Sequence, residues 1–232
     1  MTQDKKKNFI RRLTIGIGVI LAIIILAVSM RDLFLSPNEL MKYGMEKMRT
    51  EQFKAAERYL ILASNTDDKT VSPLASFELG ELYRKGKKTF PANGQKAALF
   101  LEKASVGGIP MAAYRLALMY DNGDQIVENR SKALFFMNQA AKAGIPDALY
   151  ALGVWLERGY MGAVDMNKVV ALYEQAAQQG HRNAITSLVA IYAGGFGHFP
   201  ENIERSVYWQ EKLNINNTIP LTTSVSQSEK GN

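Results

Sequence analysis

Small and bulky apolar residues recur along most of this chain in one phrase written four times. The copies are Ala75-x-x-x-Leu79-Gly80-x-x-Tyr83, Ala112-x-x-x-Leu116-Ala117-x-x-Tyr120, Ala148-x-x-x-Leu152-Gly153-x-x-Leu156 and Ala184-x-x-x-Leu188-Val189-x-x-Tyr192, and they begin 37, 36 and 36 residues apart. A second phrase follows each: Lys96-Ala97-x-x-Phe100-Leu101-x-x-Ala104-Ser105, Lys132-Ala133-x-x-Phe136-Met137-x-x-Ala140-Ala141, Lys168-Val169-x-x-Leu172-Tyr173-x-x-Ala176-Ala177, and a degenerate Arg205-Ser206-x-x-Trp209-Gln210. Apolar positions at i, i+3, i+4 and i+7 place one stripe on each of two helices per copy. The alanines let neighbouring helices approach, and the Leu, Tyr, Phe and Trp positions fill the gaps between layers. Gly108, Gly144 and Gly180 fall where the second helix stops, since glycine takes the left-handed position after a helix without steric cost. Ile109-Pro110 and Ile145-Pro146 then open the next copy, with proline in a first turn. Gly86, Gly123, Gly159 and the Gly194-Gly195-Phe196-Gly197 run mark the turns inside each pair. A fixed period of this size denotes stacked helical pairs, none of which buries its apolar face alone. The chain therefore reads as a binding surface rather than a catalytic cavity.

Upstream, residues 37–64 form a further, diverged helical pair, in which Tyr59-Leu60 and Ala63-Ser64 fall 41 residues before Phe100-Leu101 and Ala104-Ser105. The expected fold is all-α, a right-handed α-solenoid of five helix pairs (residues 37–72, then four repeats over 73–213), behind one N-terminal transmembrane helix. Residues 65–72 read as a polar loop and 214–232 as a disordered tail with little hydrophobic periodicity. The membrane segment is Leu13–Met30, 18 residues without a charge. At about 1.5 Å per residue it spans roughly the 30 Å hydrocarbon core once a flanking residue is added.

The paired phrases resemble the SEL-one-like repeat, a relative of the tetratricopeptide repeat. The similarity covers about Leu74 to Leu213, in four copies in register. It weakens at the end, where Val189 stands in the glycine column and Arg205-Ser206 replaces Lys-Ala, as expected of a capping repeat. The resemblance implies an α-solenoid that scaffolds protein complexes, and it brings no catalytic residues with it.

Charge changes the picture only at the N-terminus. Lys5, Lys6, Lys7, Arg11, Arg12 and Arg31 against Asp4 carry +5 of the net +6, so the repeat region is nearly neutral and a nucleic-acid partner loses its main support. Residues 1–12 form a basic leader, and five Lys/Arg precede the apolar run while Arg31 and Asp32 cancel after it. The positive-inside rule then puts the N-terminus in the cytoplasm and the repeats outside it, in the periplasm. The competing reading is a cleaved signal, because Ala27-Val28-Ser29 has a small-x-small pattern. The absence of cysteine excludes disulfides, thiolate metal sites and a cysteine nucleophile.

Candidate chemistry is sparse. His181 and His198, the only histidines, have no Asp, Glu or His at ligand spacing, and His181 reads as a solvated loop residue. The glycine run at 194–197 lacks the strand and the G-K-[ST] of a phosphate loop and reads as a turn. Glu102, Glu157 and Glu174 read as members of solvated ion pairs. Asn129-Arg130-Ser131 and Asn216-Asn217-Thr218 fit a glycosylation sequon, which matters only in a eukaryotic secretory route. Tyr83, Tyr120, Tyr150, Tyr173, Tyr192, Tyr208 and Trp209 are expected to be mostly interlayer packing. The candidates for exposed partner contacts are the aromatic and apolar residues of the inter-helix loops, Phe90, Tyr160, Met161, Phe196 and Phe199. No cofactor, metal or small-molecule substrate is expected. The resulting expectation is a non-enzymatic scaffold or adaptor, anchored in the inner membrane, that binds protein partners and assists assembly or regulation of an envelope complex such as a secretion system. Two alternatives stay open: a secreted solenoid that binds extracellular or host proteins, and a cell-wall enzyme, which needs two carboxylates converging at roughly 5–9.5 Å.

Overall fold

The computed structural model describes residues 34–196 and 199–218. The basic leader, the apolar run 13–30, His198 and the chain beyond Thr218 lie outside the described residues. Among the described residues no helix is long and apolar enough to cross a membrane.

Those residues form ten helices and no strand beyond isolated bridges. They are α1 (Pro37–Arg49), α2 (Phe53–Ser64), α3 (Val71–Lys85), α4 (Gly94–Val106), α5 (Pro110–Asn122), α6 (Arg130–Lys142), α7 (Pro146–Glu157), α8 (Met166–Gln178), α9 (Arg182–Gly194) and α10 (Ile203–Thr218). Consecutive helices pair as the repeat phrases require, α1 with α2 through α9 with α10. The chain divides into two compact units at Gly107/Gly108: the first holds the hairpins α1–α2 and α3–α4, the second α5–α6, α7–α8 and α9–α10. Within each unit the second helix of one hairpin packs on the first helix of the next.

Local signals fix the helix ends. Ser36 and Glu39 make a capping box at α1, with Glu39 N–H donating to Ser36 Oγ at 3.3 Å and Ser36 N–H to Glu39 Oε2 at 2.9 Å. The second helix of each later hairpin is capped three residues before its basic residue: Asn93 accepts from Lys96 N–H at 2.9 Å, Asn129 from Lys132 at 2.9 Å, Asp165 from Lys168 at 3.3 Å and Asn202 from Arg205 at 3.0 Å. Asn129, half of one sequon, is thus an N-cap. At the other end Gly180 takes φ +81°, which lets His181 N–H reach Ala176 O at 3.1 Å and Gly180 N–H reach Ala177 O at 2.9 Å, closing the helix in a Schellman turn.

The hairpins are held by a knob-into-notch contact at the glycine column. A Cβ on Gly80 would lie 2.6 Å from Leu101 Cγ, and one on Gly153 2.5 Å from Tyr173 Cε1. Bare backbone in the first helix therefore receives the bulky residue of the second. The repeating Ala and Leu positions around it are buried. In the last hairpin Val189 stands in place of the glycine; Ser206 Oγ donates to Val189 O at 3.0 Å, and Trp209 is buried at 3% exposure. Helix α10 runs on to Thr218, into the segment expected to be a disordered tail.

Candidate functional site

The tyrosine that ends the first repeat phrase anchors a recurring cluster. Tyr83 donates its hydroxyl to Glu57, and Lys96 Nζ lies 3.3 Å from the phenol oxygen and 4.9 Å from the ring centroid. Tyr120 stands in the same relation to Lys132, at 3.3 Å and 4.9 Å. Tyr192 donates to Glu174 at 2.8 Å, while the Arg205 guanidinium bonds the same carboxylate and sits 5.3 Å over the ring. For Tyr83 and Tyr192 the carboxylate comes from the second helix of the preceding hairpin, Glu57 on α2 and Glu174 on α8. The ring also stacks on the residue four positions after the cation, Phe100 under Tyr83 at 5.7 Å and Phe136 under Tyr120 at 6.0 Å. Burial, then the hydrogen bond to the carboxylate, raises the two phenols that have one: Tyr192 is pushed up to about 12, and Tyr83 is raised by burial and Glu57. Glu174 therefore serves as a tyrosine acceptor, as does Glu157, which accepts from Tyr173 at 2.6 Å; neither is the simple solvated ion pair its surroundings in sequence suggested.

The third repeat breaks the pattern at three positions and keeps the cation. Leu156 stands for the tyrosine, Leu172 for the stacked phenylalanine, and Asn138 of α6 for the carboxylate supplied by Glu174 in the next repeat. Lys168 keeps the cation but pairs, among the described residues, across its own cap, 3.3 Å from Asp165, at 72% side-chain exposure. The loop departs too. Elsewhere it is closed by a backbone bond from the N-cap to the tyrosine carbonyl: Asn93 to Tyr83 at 2.8 Å, Asn129 to Tyr120 at 2.9 Å, Asn202 to Tyr192 at 2.7 Å. Asp165 makes no such bond to Leu156 among the described residues, and the loop turns instead through Tyr160 N–H to Trp155 O at 2.9 Å and Gly162 N–H to Gly159 O at 3.1 Å. A groove of about 480 Å³ opens there, lined by the apolar side chains of Leu152, Leu156, Met161 and Leu172 and by the polar side chains of Asn138, Asp165, Lys168 and Gln175.

A second groove, about 620 Å³, lies on the other side of Asp165 and is lined by Val164, Asp165, Met166, Asn167, Phe196, Phe199 and Pro200. It too marks a departure. In the first unit the α3–α4 loop is pinched by Phe90 N–H to Lys87 O at 2.9 Å, which drives Phe90 inward against Tyr83, with Lys54 5.0 Å over the ring. The α9–α10 loop has the same pinch, Phe199 N–H to Phe196 O at 2.9 Å, and Phe199 meets Tyr192 at 5.8 Å. Asn167 occupies the position of Lys54 and Phe199 stays half-buried.

The five loop residues singled out by sequence thus separate. Phe90 is 1% exposed and belongs to the core, because the pinch folds the loop tip onto Tyr83; it is no surface contact. Met161, Phe196 and Phe199 line the two adjoining grooves. Tyr160, exposed, lies beside Met161 under the Arg130 guanidinium at 5.0 Å. His181 corrects its expectation as well. It is the N-cap of α9, 13% exposed in its side chain, with Nδ1 accepting from Ala184 N–H at 3.2 Å, Nε2 3.2 Å from Asp147 and the ring 4.6 Å from Tyr150. Asn138, Leu156, Asp165 and Lys168 were missed by sequence reasoning, although Leu156 in a tyrosine column was the visible signal. Among the described residues no group of three or more His, Asp or Glu could hold a metal.

Comparison with known proteins follows the same repeats. The family model described as Sel1 repeat matches residues 73–105, 110–145, 146–181 and 188–212, more than half the chain. A protective antigen of uropathogenic Escherichia coli strains displaying an SLR fold superposes with TM-score 0.68 at 21% identity, over 78% of this chain and 38% of its own. A Sel1 repeat protein from Oxalobacter formigenes gives 0.64 at 19% identity, over 76% of this chain and 69% of its own. This chain thus spans well under half of the first relative. At these identities the likeness establishes the fold, an all-α helical-repeat solenoid. No curated protein matches the sequence.

Proposed function

Because the chain belongs to the Sel1 repeat family, whose members are generally non-catalytic scaffolds that bind other proteins, we propose that it is a protein-interaction adaptor whose contact face is the loop end of residues 108–218. The observation that carries this reading is the pair of adjoining grooves on either side of Asp165, rimmed by the exposed apolar residues Tyr160, Met161, Val164 and Phe196. Exposed apolar residues clustered around concavities, with a polar rim, are the makings of a protein contact. Leu13–Met30 anchors the chain in the inner membrane with the N-terminus in the cytoplasm, and the repeats act in the periplasm on an envelope complex such as a secretion system. What supports that location is the charge-free run and the leader's excess of Lys and Arg.

The test places a photo-crosslinking phenylalanine at position 161 or 196 of the full chain in cells. The expected result is a discrete protein adduct from both sites and none from position 142, an exposed site on α6. A C-terminal alkaline phosphatase fusion should be active and a C-terminal green fluorescent fusion dark. Adducts from all three positions alike would remove the assigned face, and an inactive phosphatase fusion would remove the periplasmic location.

A further inference from the structure

Across this chain one three-dimensional slot is filled three times by the protein's own tyrosine and once left open. In the first, second and fourth repeats the slot takes the ring of Tyr83, Tyr120 or Tyr192, with a Lys or Arg 4.9–5.3 Å from it. In the third repeat Leu156 and Leu172 are too short to fill the corresponding space, and the 480 Å³ groove results. That volume lies in the range of small ligand pockets.

The fittings that receive a phenol are still present. Lys168 holds the column of Lys96 and Lys132, and its ammonium is complementary to the electron-rich face of an aromatic ring. Its bond to Asp165 is a solvent-exposed pair that competes weakly. Asn138 donates its amide to Leu134 O at 2.9 Å, which leaves its carbonyl oxygen to accept a phenol proton. Leu152, Leu156, Met161 and Leu172 supply the apolar walls.

We propose that this groove is a socket for a tyrosine side chain presented by the partner polypeptide, which completes in trans the ring–cation cluster that the other repeats complete in cis. The proposal rests on the interaction reading above and adds the chemistry of the residue recognised. A tyrosine suits the site better than an aliphatic side chain because a phenol uses Lys168 and Asn138 together, and better than a carboxylate because Asp165 lines the groove and would repel a second one. The site also gives the third repeat's departures a single purpose.

The test uses the full chain in detergent micelles with methionine methyls carrying carbon-13, so that Met161 reports on the groove. N-acetyl-tyrosinamide and N-acetyl-leucinamide are the probes. Tyrosinamide is expected to shift the Met161 methyl saturably and to bind about fivefold tighter than leucinamide, the worth of one exposed cation–ring contact. Leu156→Tyr, which copies the sister repeats and fills the slot from within, should abolish the shift. Lys168→Ala, at an exposed position, should remove the preference for tyrosinamide and leave leucinamide binding unchanged. Equal binding of the two probes to the unmodified chain, or an undiminished shift in folded Leu156→Tyr protein, overturns the proposal. The two readings fail separately: an adduct from position 196 in cells together with equal probe binding sinks the socket and spares the interaction face, whereas a tyrosine preference without any adduct does the reverse.

Discussion

Adding one methyl group at Gly153 tests how the hairpins are locked. In an exposed helix Gly→Ala stabilises by about 1 kcal/mol. Here the new Cβ would lie 2.5 Å from Cε1 and 2.8 Å from Cδ1 of Tyr173, a ring that is fully buried and tied at its far end to Glu157 by a 2.6 Å hydrogen bond. A rigid ring cannot swing aside as the tip of a flexible chain would. Overpacking of this kind costs about 1–3 kcal/mol, and pulling the phenol from a carboxylate costs about 1.5–3 kcal/mol more. The propensity gain is therefore outweighed, and Gly153→Ala should destabilise by about 2 kcal/mol. For a chain of this size that lowers the thermal midpoint by about 4–8 °C, read by circular dichroism. The molecule also contains its own rescue, since the second repeat pairs Ala117 with Met137 at the same two positions. Gly153→Ala combined with Tyr173→Met should cost at least about 1 kcal/mol less than the sum of the single changes, a coupling expected only between residues in contact. A midpoint unchanged or raised by Gly153→Ala alone would refute the knob-into-notch account, and strict additivity would refute the pairing.

The two loop phenylalanines should part company: Phe90→Ala removes a buried ring and should cost about 3–5 kcal/mol by thermal or urea unfolding, whereas exposed Phe196→Ala should move stability by less than about 0.5 kcal/mol and weaken only partner crosslinking. At alkaline pH the raised phenols matter. Tyr192 titrates at about 12 instead of its ordinary 10, so the stability it confers is complete below pH 10 and is lost as pH rises through 12, a loss that Tyr192→Phe should flatten in unfolding midpoints followed against pH. At the acid edge Glu81 behaves oppositely: burial pushes its carboxyl up, but the bonds to Arg84 and Lys85 win and hold it at about 2. Its contribution is present above 4.5 and disappears as pH falls toward 2, and Glu81→Gln should remove that segment of the pH profile.

Much of the fold was legible because the repeat writes its packing into columns. The Gly80 and Gly153 positions, the Ala positions beside them and the glycine stops at 108, 144 and 180 each follow from one steric requirement that recurs with the period. What lay beyond the pattern was geometry inside the loops. Phe90 and Phe196 both sit in glycine-led turns with the same backbone pinch, yet one is core and the other surface. Sequence places Phe90 only in an inter-helix loop, where it read as an exposed contact; the pinch that turns it onto Tyr83 and Lys54 closing over it are features of the folded loop. His181 was misjudged for a related reason: a residue after a helix-stop glycine looks solvated, whereas here it caps the next helix and packs on Tyr150.

The columns also say where function is to be sought. A repeat protein needs its consensus positions for stacking, so a change there costs stability unless the position has another use. The third repeat changes three such positions together, Tyr to Leu156, Phe to Leu172 and the acceptor to Asn138, while keeping Lys168 and the cap at Asp165. The hairpin compensates elsewhere, through Tyr173 of its second helix, which enters the Gly153 notch of the first and donates to Glu157 there, so the layer stays filled behind the open slot. Support moved to the back of the hairpin and vacated at the front is what a binding site requires: a concavity whose helices are packed in place before anything enters it.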